Sequence, residues 1–375
     1  MSKTLWPDVI GQHRVKEILL SAWHARRLPH AYLFYGDEGV GKSAMAMQLA
    51  RLIHCERGEE EPCGMCDSCV KIRALRHPDV KLVFALPVGK NEISDDSPTA
   101  KLSDSEINAV REQIALKAAN PYHRITVPRA TVIKINSIRE IRRESTLSAS
   151  GGAKKIFIVL NADEMLDPAA NTLLKTLEEP SLHTMLILTT SHRDALLPTI
   201  VSRCQQVRFD QLTGEQIQDA LVRRRDVDSE QARILARLAN GSYTRALDLD
   251  REEITSMRRE VLAFIRQVLG KNTVPLAEAV EKLSGTRDRD LVVRFLTLML
   301  VWFRDALVLS HGGDVINVDQ SEELTSFLAK LPDADLVQVI GNIEKAISLV
   351  ERNVYIQLVL LQLSVQLRQN ILNDR

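Results

Sequence analysis

Residues 36–43 read Gly-Asp-Glu-Gly-Val-Gly-Lys-Ser, a complete phosphate-binding loop of the form G-x-x-x-x-G-K-[ST]. Ala31-Tyr32-Leu33-Phe34-Tyr35 precedes it as a short apolar strand, and Ala44-Met45-Ala46-Met47-Gln48-Leu49-Ala50 follows as a good helix. In that setting Gly36, Gly39, Val40 and Gly41 turn consecutive backbone N–H groups inward around phosphate oxygens, and the helix N-terminus adds a favourable dipole. Lys42 is expected to reach the β- and γ-phosphates of ATP, and the Ser43 hydroxyl to hold Mg²⁺. The loop makes this a nucleotide-binding fold.

The chain has 375 residues, more than one ordinary core holds, so two or three domains are expected. Lys plus Arg and Asp plus Glu number 49 each. A zero formal charge gives no chain-wide nucleic-acid footprint, so any DNA contact must come from a local patch or from partners. The first eleven residues carry Lys3, Pro7 and Asp8 and lack the apolar core of a signal peptide. The longest apolar stretch, Leu291 to Leu309, is interrupted by Arg294, Arg304 and Asp305, which argues against a membrane span. A soluble, cytoplasmic protein is expected, with no membrane partner.

Four of the five cysteines, Cys55, Cys63, Cys66 and Cys69, fall within fifteen residues with spacing C-x7-C-x2-C-x2-C. In a reducing compartment such a cluster reads as metal ligands rather than disulfides. Four thiolates suit tetrahedral Zn²⁺ and leave no open position for catalysis, so the zinc is structural; an iron–sulfur cluster uses similar ligands, but nothing else suggests electron transfer.

Strands are expected at Ala31–Tyr35, Val80–Phe84, Thr131–Ile135, Ile156–Leu160, Met185–Thr190 and Gln206–Phe209. Several are continuous apolar runs, as parallel strands covered on both faces should be. Between Pro87 and Pro128 lies a polar insertion with one helix near Ser103–Lys117 and no recognisable chemistry. Asp167 is a natural N-cap, Pro168 fits the first helical position, and Glu179-Pro180 ends that helix. Beyond Asp210 strands stop. Thr213-Gly214-Glu215-Gln216 offers a capping box for a helix to about Arg225, and a second helix spans Ser229–Asn240. From Glu252 onward leucine-rich faces recur at helical spacing. This divides the chain into an α/β nucleotide domain (1–210, with the cysteine module at 55–69 and the insertion at about 87–128), a small helical lid (211–251) and a helical C-terminal domain (252–375).

Asn171-Thr-Leu-Leu-Lys-Thr-Leu-Glu-Glu-Pro180, Ser202-Arg203-Cys204 after Leu-Pro-Thr-Ile, and the four-cysteine insert behind the phosphate-loop helix together resemble the AAA+ clamp-loader family of bacterial DNA polymerase III. The likeness is to its δ′ branch, close to γ/τ. The match runs motif by motif over residues 5 to 250. It implies an α/β P-loop AAA+ domain with a zinc insert, a helical lid and an all-α collar domain that joins the subunits of an arc. The implied work is loading a sliding clamp onto primer–template DNA during replication, with γ/τ and δ subunits as partners. In this family the arginine of Ser-Arg-Cys points into the neighbour's nucleotide site, so Arg203 is expected to act in trans on the γ-phosphate, where a planar charge stabilises the transferring phosphoryl group.

The sequence departs from the ATP-hydrolysing relatives at the acidic pair before the Leu-Leu-Lys helix, whose positions here hold Leu160 and Asn161. Asp163 and Glu164 lie three residues late; they either substitute for those acids or are polar turn residues. The first sensor falls at Thr189 or Thr190. Gly241-Ser242-Tyr243-Thr244-Arg245 resembles the second sensor, but the relatives place arginine where Thr244 stands, so Arg245 either contacts nucleotide or forms a lid-surface salt bridge. The expected function is a δ′-type subunit that binds ATP and has weak or no ATPase of its own. A γ/τ-like motor hydrolysing its own ATP and a zinc-stabilised scaffold without a nucleotide cycle are the alternatives.

Overall fold

A computed structural model describes residues 6–372 apart from 7, 59, 94–95, 147–153, 250, 286–287, 314 and 316. The chain packs as two compact units. One runs to Arg225 and takes in Ala239–Arg245; the other holds Asp226–Leu238 and the chain from Ala246 onward.

The first unit is the α/β domain that carries the phosphate loop. After α1 (His13–His24) come β1 (Ala31–Tyr35), α2 (Lys42–His54), α3 (Asp67–Arg73), β2 (Val80–Val83), α4 (Asp104–Ala119) and α5 (Ile135–Ser145). Then follow β3 (Lys155–Val159), α6 (Asp167–Glu178), β4 (Thr184–Thr190), α7 (Pro198–Arg203), β5 (Gln205–Arg208) and α8 (Gly214–Arg225). The five strands form one parallel sheet in the order β2-β3-β4-β1-β5. Strands β3 and β4 are buried along their whole length, which is why they read as unbroken apolar runs.

Alternation splits the strand side chains between two faces. Leu33, Phe157, Val159, Leu186 and Leu188 pack with Ile138 and Ile141 of α5, Leu173 and Leu177 of α6, and Ile200 of α7. Helix α2 packs on the sheet at β3 and β4 and is buried nearly all round. Fully burying a leucine such as Leu173 contributes about 1.5–3 kcal/mol. The Asn171–Glu178 stretch earns its helix from that apolar stripe.

Three expectations need correction. Thr131–Ile135 is no strand: among its residues only Ile133 makes an isolated bridge, to Met165, and Ile135 already opens α5. Ile133 packs in the core and Ile135 against it, Thr131 is exposed, and Lys134 pairs with Glu92 at 2.8 Å, both almost fully buried. The expected N-cap Asp167 is the first residue of α6; Leu166 caps it and Pro168 sits one position further in. The insertion helix runs two residues further than expected, held at its start by a capping box between Ser103 and Glu106.

In the second unit every described element is helical: α9 (Ser229–Leu238), the end of α10 (Tyr243–Asp248), α11 (Arg251–Leu269), α12 (Val274–Gly285), α13 (Arg289–Ser310), α14 (Ser321–Lys330), α15 (Leu336–Glu351) and α16 (Ile356–Leu372), with a short 3-10 turn at Val318–Gln320. Helix α13 is the centre of this unit, packed on α11, α14 and α15. Phe264 meets Phe295 edge to face at 5.5 Å, and Trp302, Phe303 and Phe327 form a second aromatic group. Asp305, buried in the middle of α13, accepts hydrogen bonds from the Asn317 backbone (2.7 Å) and side chain (2.8 Å). No described helix is long and apolar enough to cross a membrane.

Candidate nucleotide site and cysteine cluster

The carboxyl ends of β1, β3 and β4 converge on the phosphate loop, the position ligands take in open α/β sheets. The loop backbone has φ of 142° at Gly36, 77° at Gly39 and 101° at Gly41. Space as well as conformation demands glycine here. A Cβ would lie 2.4 Å from the Phe209 carbonyl at Gly36 and 2.0 Å from Ser242 Oγ at Gly39. Val40 is fully buried, and its carbonyl accepts from Gln12 Nε2 at 3.1 Å.

Lys42 folds back over the loop. Its Nζ donates to the carbonyls of Gly36 and Asp37, both at 2.6 Å, and to Ser191 Oγ at 3.0 Å. Burial lowers its pKa to about 8, against the pull of Glu38, Asp37 and Asp163. Ser43 Oγ accepts from Lys117 Nζ at 2.8 Å and donates to the Pro121 carbonyl at 3.2 Å. Lys117 is itself buried, which lowers its pKa to about 7.

The acids are held elsewhere. Asp163 and Glu164 lie in a 3-10 turn after β3 that Asn161 enters with a φ of 47°. Asp163 accepts from Thr190 Oγ1 at 2.5 Å and meets His192 Nδ1 at 3.1 Å. Glu164 lines the loop cavity, accepts from Asn161 Nδ2 at 2.9 Å, and has its pKa raised by burial. Thr189 also lines the cavity, accepting from the Asn161 N–H at 3.2 Å. Because β1 and β4 pair Tyr35 with Thr190, the next residues, Gly36 and Ser191, leave the sheet side by side. The hydroxyl at Lys42 is therefore that of Ser191. In the lid turn Thr244, not Arg245, lines the cavity; Arg245 is exposed.

The cavity measures about 150 Å³ and is lined by Glu38, Gly39, Lys42, Lys117, Tyr122 and Glu164 among others. Ligand pockets span about 300–1,000 Å³. The loop's backbone geometry suits phosphate, but in this conformation the space takes a phosphate-sized anion rather than a whole nucleotide. In this conformation Lys117 holds the Ser43 hydroxyl; Leu160 and Asn161 offer no carboxylate, and the carboxylates that line the cavity are those of Glu38 and Glu164. Sequence reading singled out neither Lys117 nor Tyr122, and no local signal in the insertion marks them.

Arg203 ends α7, a six-residue helix opened by Pro198. It pairs with Glu178 at 2.9 Å and donates to the Thr199 carbonyl at 3.0 Å. Both members of the pair are well exposed (36% and 48%), where such pairs are worth about 0.2–1 kcal/mol.

The four cysteine sulfurs lie within 4.8 Å of one another. Cys55 caps the end of α2 and Cys66 the start of α3, so the two helices bring distant thiols together. Backbone N–H groups point at sulfur: Cys63 N to Cys55 Sγ (3.2 Å), Cys66 N to Cys63 Sγ (3.3 Å) and Cys69 N to Cys66 Sγ (3.5 Å). The N–H groups of Met65 and Cys66 draw the Cys63 pKa down to about 6, whereas burial pushes Cys69 up to about 12. The arrangement fits a tetrahedral metal ion with sulfur ligands.

The family described as DNA polymerase III, delta subunit matches residues 11–213. Subunit delta′ of DNA polymerase III from Bacillus subtilis is 29% identical over 305 residues, covering 81% of this chain and 79% of that protein. Subunit tau from Salmonella typhimurium is 28% identical over 296 residues, covering 76% of this chain but only 39% of that longer protein. A gamma subunit-related protein from Thermotoga maritima aligns structurally over 94% of this chain and 99% of that one, at 14% identity and a TM-score of 0.38.

Proposed function

Because the chain belongs to the DNA polymerase III, delta subunit family, we propose that it is a δ′-type clamp-loader subunit. It joins γ/τ and δ subunits in the bacterial cytoplasm and helps place a sliding clamp on primer–template DNA. The helices from residue 252 on act as the collar that holds it in the assembly. Its phosphate loop binds ATP, its four thiolates hold one structural Zn²⁺, and Arg203 serves a neighbouring subunit's site.

One observation carries the assignment of roles. The loop of this chain is intact while Leu160 and Asn161 stand where hydrolysing relatives carry acids, and Asp163 is tied to Thr190 and His192. The chain thus supplies charge to a partner rather than cleaving its own nucleotide. Reconstitution tests this directly: γ/τ and δ with this chain should load clamps, and omission of this chain should abolish loading. Loading at the same rate without it refutes the assignment.

A motor reading draws support from Glu164, which lines the cavity. Its carboxylate is engaged by Asn161, and a general base must reach the attacking water. The isolated chain is therefore expected to show little ATPase, unchanged by Glu164→Gln. Robust turnover that disappears in Glu164→Gln would establish the motor instead.

A further inference from the structure

The polar insertion reaches into the nucleotide site. Helix α4 ends at Ala119, and the chain then turns through Asn120-Pro121-Tyr122-His123. From the last turn of α4, Lys117 Nζ donates to Ser43 Oγ (2.8 Å) and to the His123 carbonyl (2.7 Å). The Pro121 carbonyl accepts a hydrogen bond from the Ser43 hydroxyl at 3.2 Å. Tyr122 covers the other side of the loop: its hydroxyl accepts the Ile10 N–H at 2.8 Å and stands 2.7 Å from where a Gly41 Cβ would be. Its ring meets Tyr243 edge-on at 5.0 Å, and its carbonyl accepts from Thr244 Oγ1 at 2.7 Å. Lys117 and Tyr122 are each 3% exposed.

These contacts take up the groups a nucleotide needs. The Ser43 hydroxyl spends its proton on Pro121 and one lone pair on Lys117, a phenol stands at Gly41, and the remaining space is about 150 Å³. The arrangement is also a poor one for stability alone. Among the described residues Lys117 has a hydroxyl and a carbonyl as partners and no carboxylate, and burying a cation without a counter-charge is costly. Lys42 lines the same small cavity, so two amines face one space with room for an anion.

We propose that residues 117–123 are a resident occupant of the nucleotide site, which compete with nucleotide for Ser43 and for the mouth of the phosphate loop. Nucleotide enters only as this segment withdraws. The proposal rests on the reading that the loop takes a nucleotide.

Two measurements test it. The first is isothermal titration of a non-hydrolysable ATP analogue with Mg²⁺ into the parent, Lys117→Met, Tyr122→Ala and the double variant, each checked for folding by circular dichroism. The double variant should bind at least tenfold tighter than the parent, and Lys42→Ala in that background should remove the gain. The second uses the parent alone, so that a misfolded variant does not decide the matter: saturating analogue should raise hydrogen–deuterium exchange in the 117–123 peptide. Parental affinity in a folded double variant, or a segment protected or unchanged by the analogue, overturns the competition while the nucleotide reading stands. Folded parent and variants that all fail to bind the analogue overturn the nucleotide reading, and the competition with it.

Discussion

In an assembled loader, Arg203→Ala is expected to lower turnover at the one neighbouring site it serves by roughly 10³-fold or more, the scale of a trans-acting arginine in phosphoryl transfer. Total DNA- and clamp-stimulated ATPase should then fall by the share of that site, since the other interfaces keep their own arginines. Folding should be nearly unaffected. In the isolated chain Arg203 contacts Glu178 and the Thr199 carbonyl, and an exposed pair of this kind contributes about 0.2–1 kcal/mol. On the proposed trans role, the same weakness would let the guanidinium exchange Glu178 for a neighbour's phosphate. Helix α7 gives it a firm base, because Pro198 fixes the first turn and Ile200 is anchored in the core. Arg203→Lys keeps the charge but loses the planar fork, so it should recover part of the rate. Zinc content, thermal unfolding and complex assembly are the controls. A complex carrying Arg203→Ala that hydrolyses ATP and loads clamps at the parental rate refutes the trans role.

Much of this was legible in the sequence where the cause is local. The phosphate loop announces itself because glycine at 36, 39 and 41 meets a backbone requirement that no other residue satisfies without collision. All five strands, to within a residue at each end, and helix α6 were readable, most of them from unbroken or periodic apolar runs. The cysteines were readable because their spacing is set by two adjacent helix ends. What failed depends on partners far along the chain. Thr131–Ile135 has a strand's composition, but only Ile133 meets a neighbour, at an isolated bridge to Met165, and Lys134, paired with Glu92, is already the N-cap of α5. Thr190 and Ser191 are both hydroxyls at a strand end, and only the pairing of β1 with β4 decides which meets Lys42. Lys117 acquires its place 74 residues from Ser43 through the packing of a whole inserted helix, which no short pattern encodes. The salt bridge weighed for Arg245 has no counterpart in its described contacts, while the one that does form joins Arg203 to Glu178.

Removing zinc, or replacing Cys69 with serine, should unfold the cysteine module while leaving the sheet in place. The segment from Cys55 to His77 orders more than twenty residues around few buried apolar side chains, Cys66, Cys69 and Ile72 among them. Fixing each backbone costs about 1–2 kcal/mol, far more than that burial returns. A metal is the natural remainder. Sulfurs already within 4.8 Å of one another need to close to about 3.8 Å for four bonds of about 2.3 Å. Structural zinc supplies about 10–16 kcal/mol in small modules, so the loss of one ligand of four is expected to cost about 2–4 kcal/mol. For a unit of this size that is a fall in Tm of roughly 5–15 °C. Cys69 is the informative position because it is fully buried on α3, which packs against α2 and so connects the module to the phosphate-loop helix. A chelator should lower the Tm of the parent at least as far as Cys69→Ser does, and should shift the variant less than the parent because only three thiolates remain there to hold the metal. Metal analysis should find one zinc per parent chain; well under one, with unchanged Tm in chelator, would mean that the four thiols hold this segment without a metal.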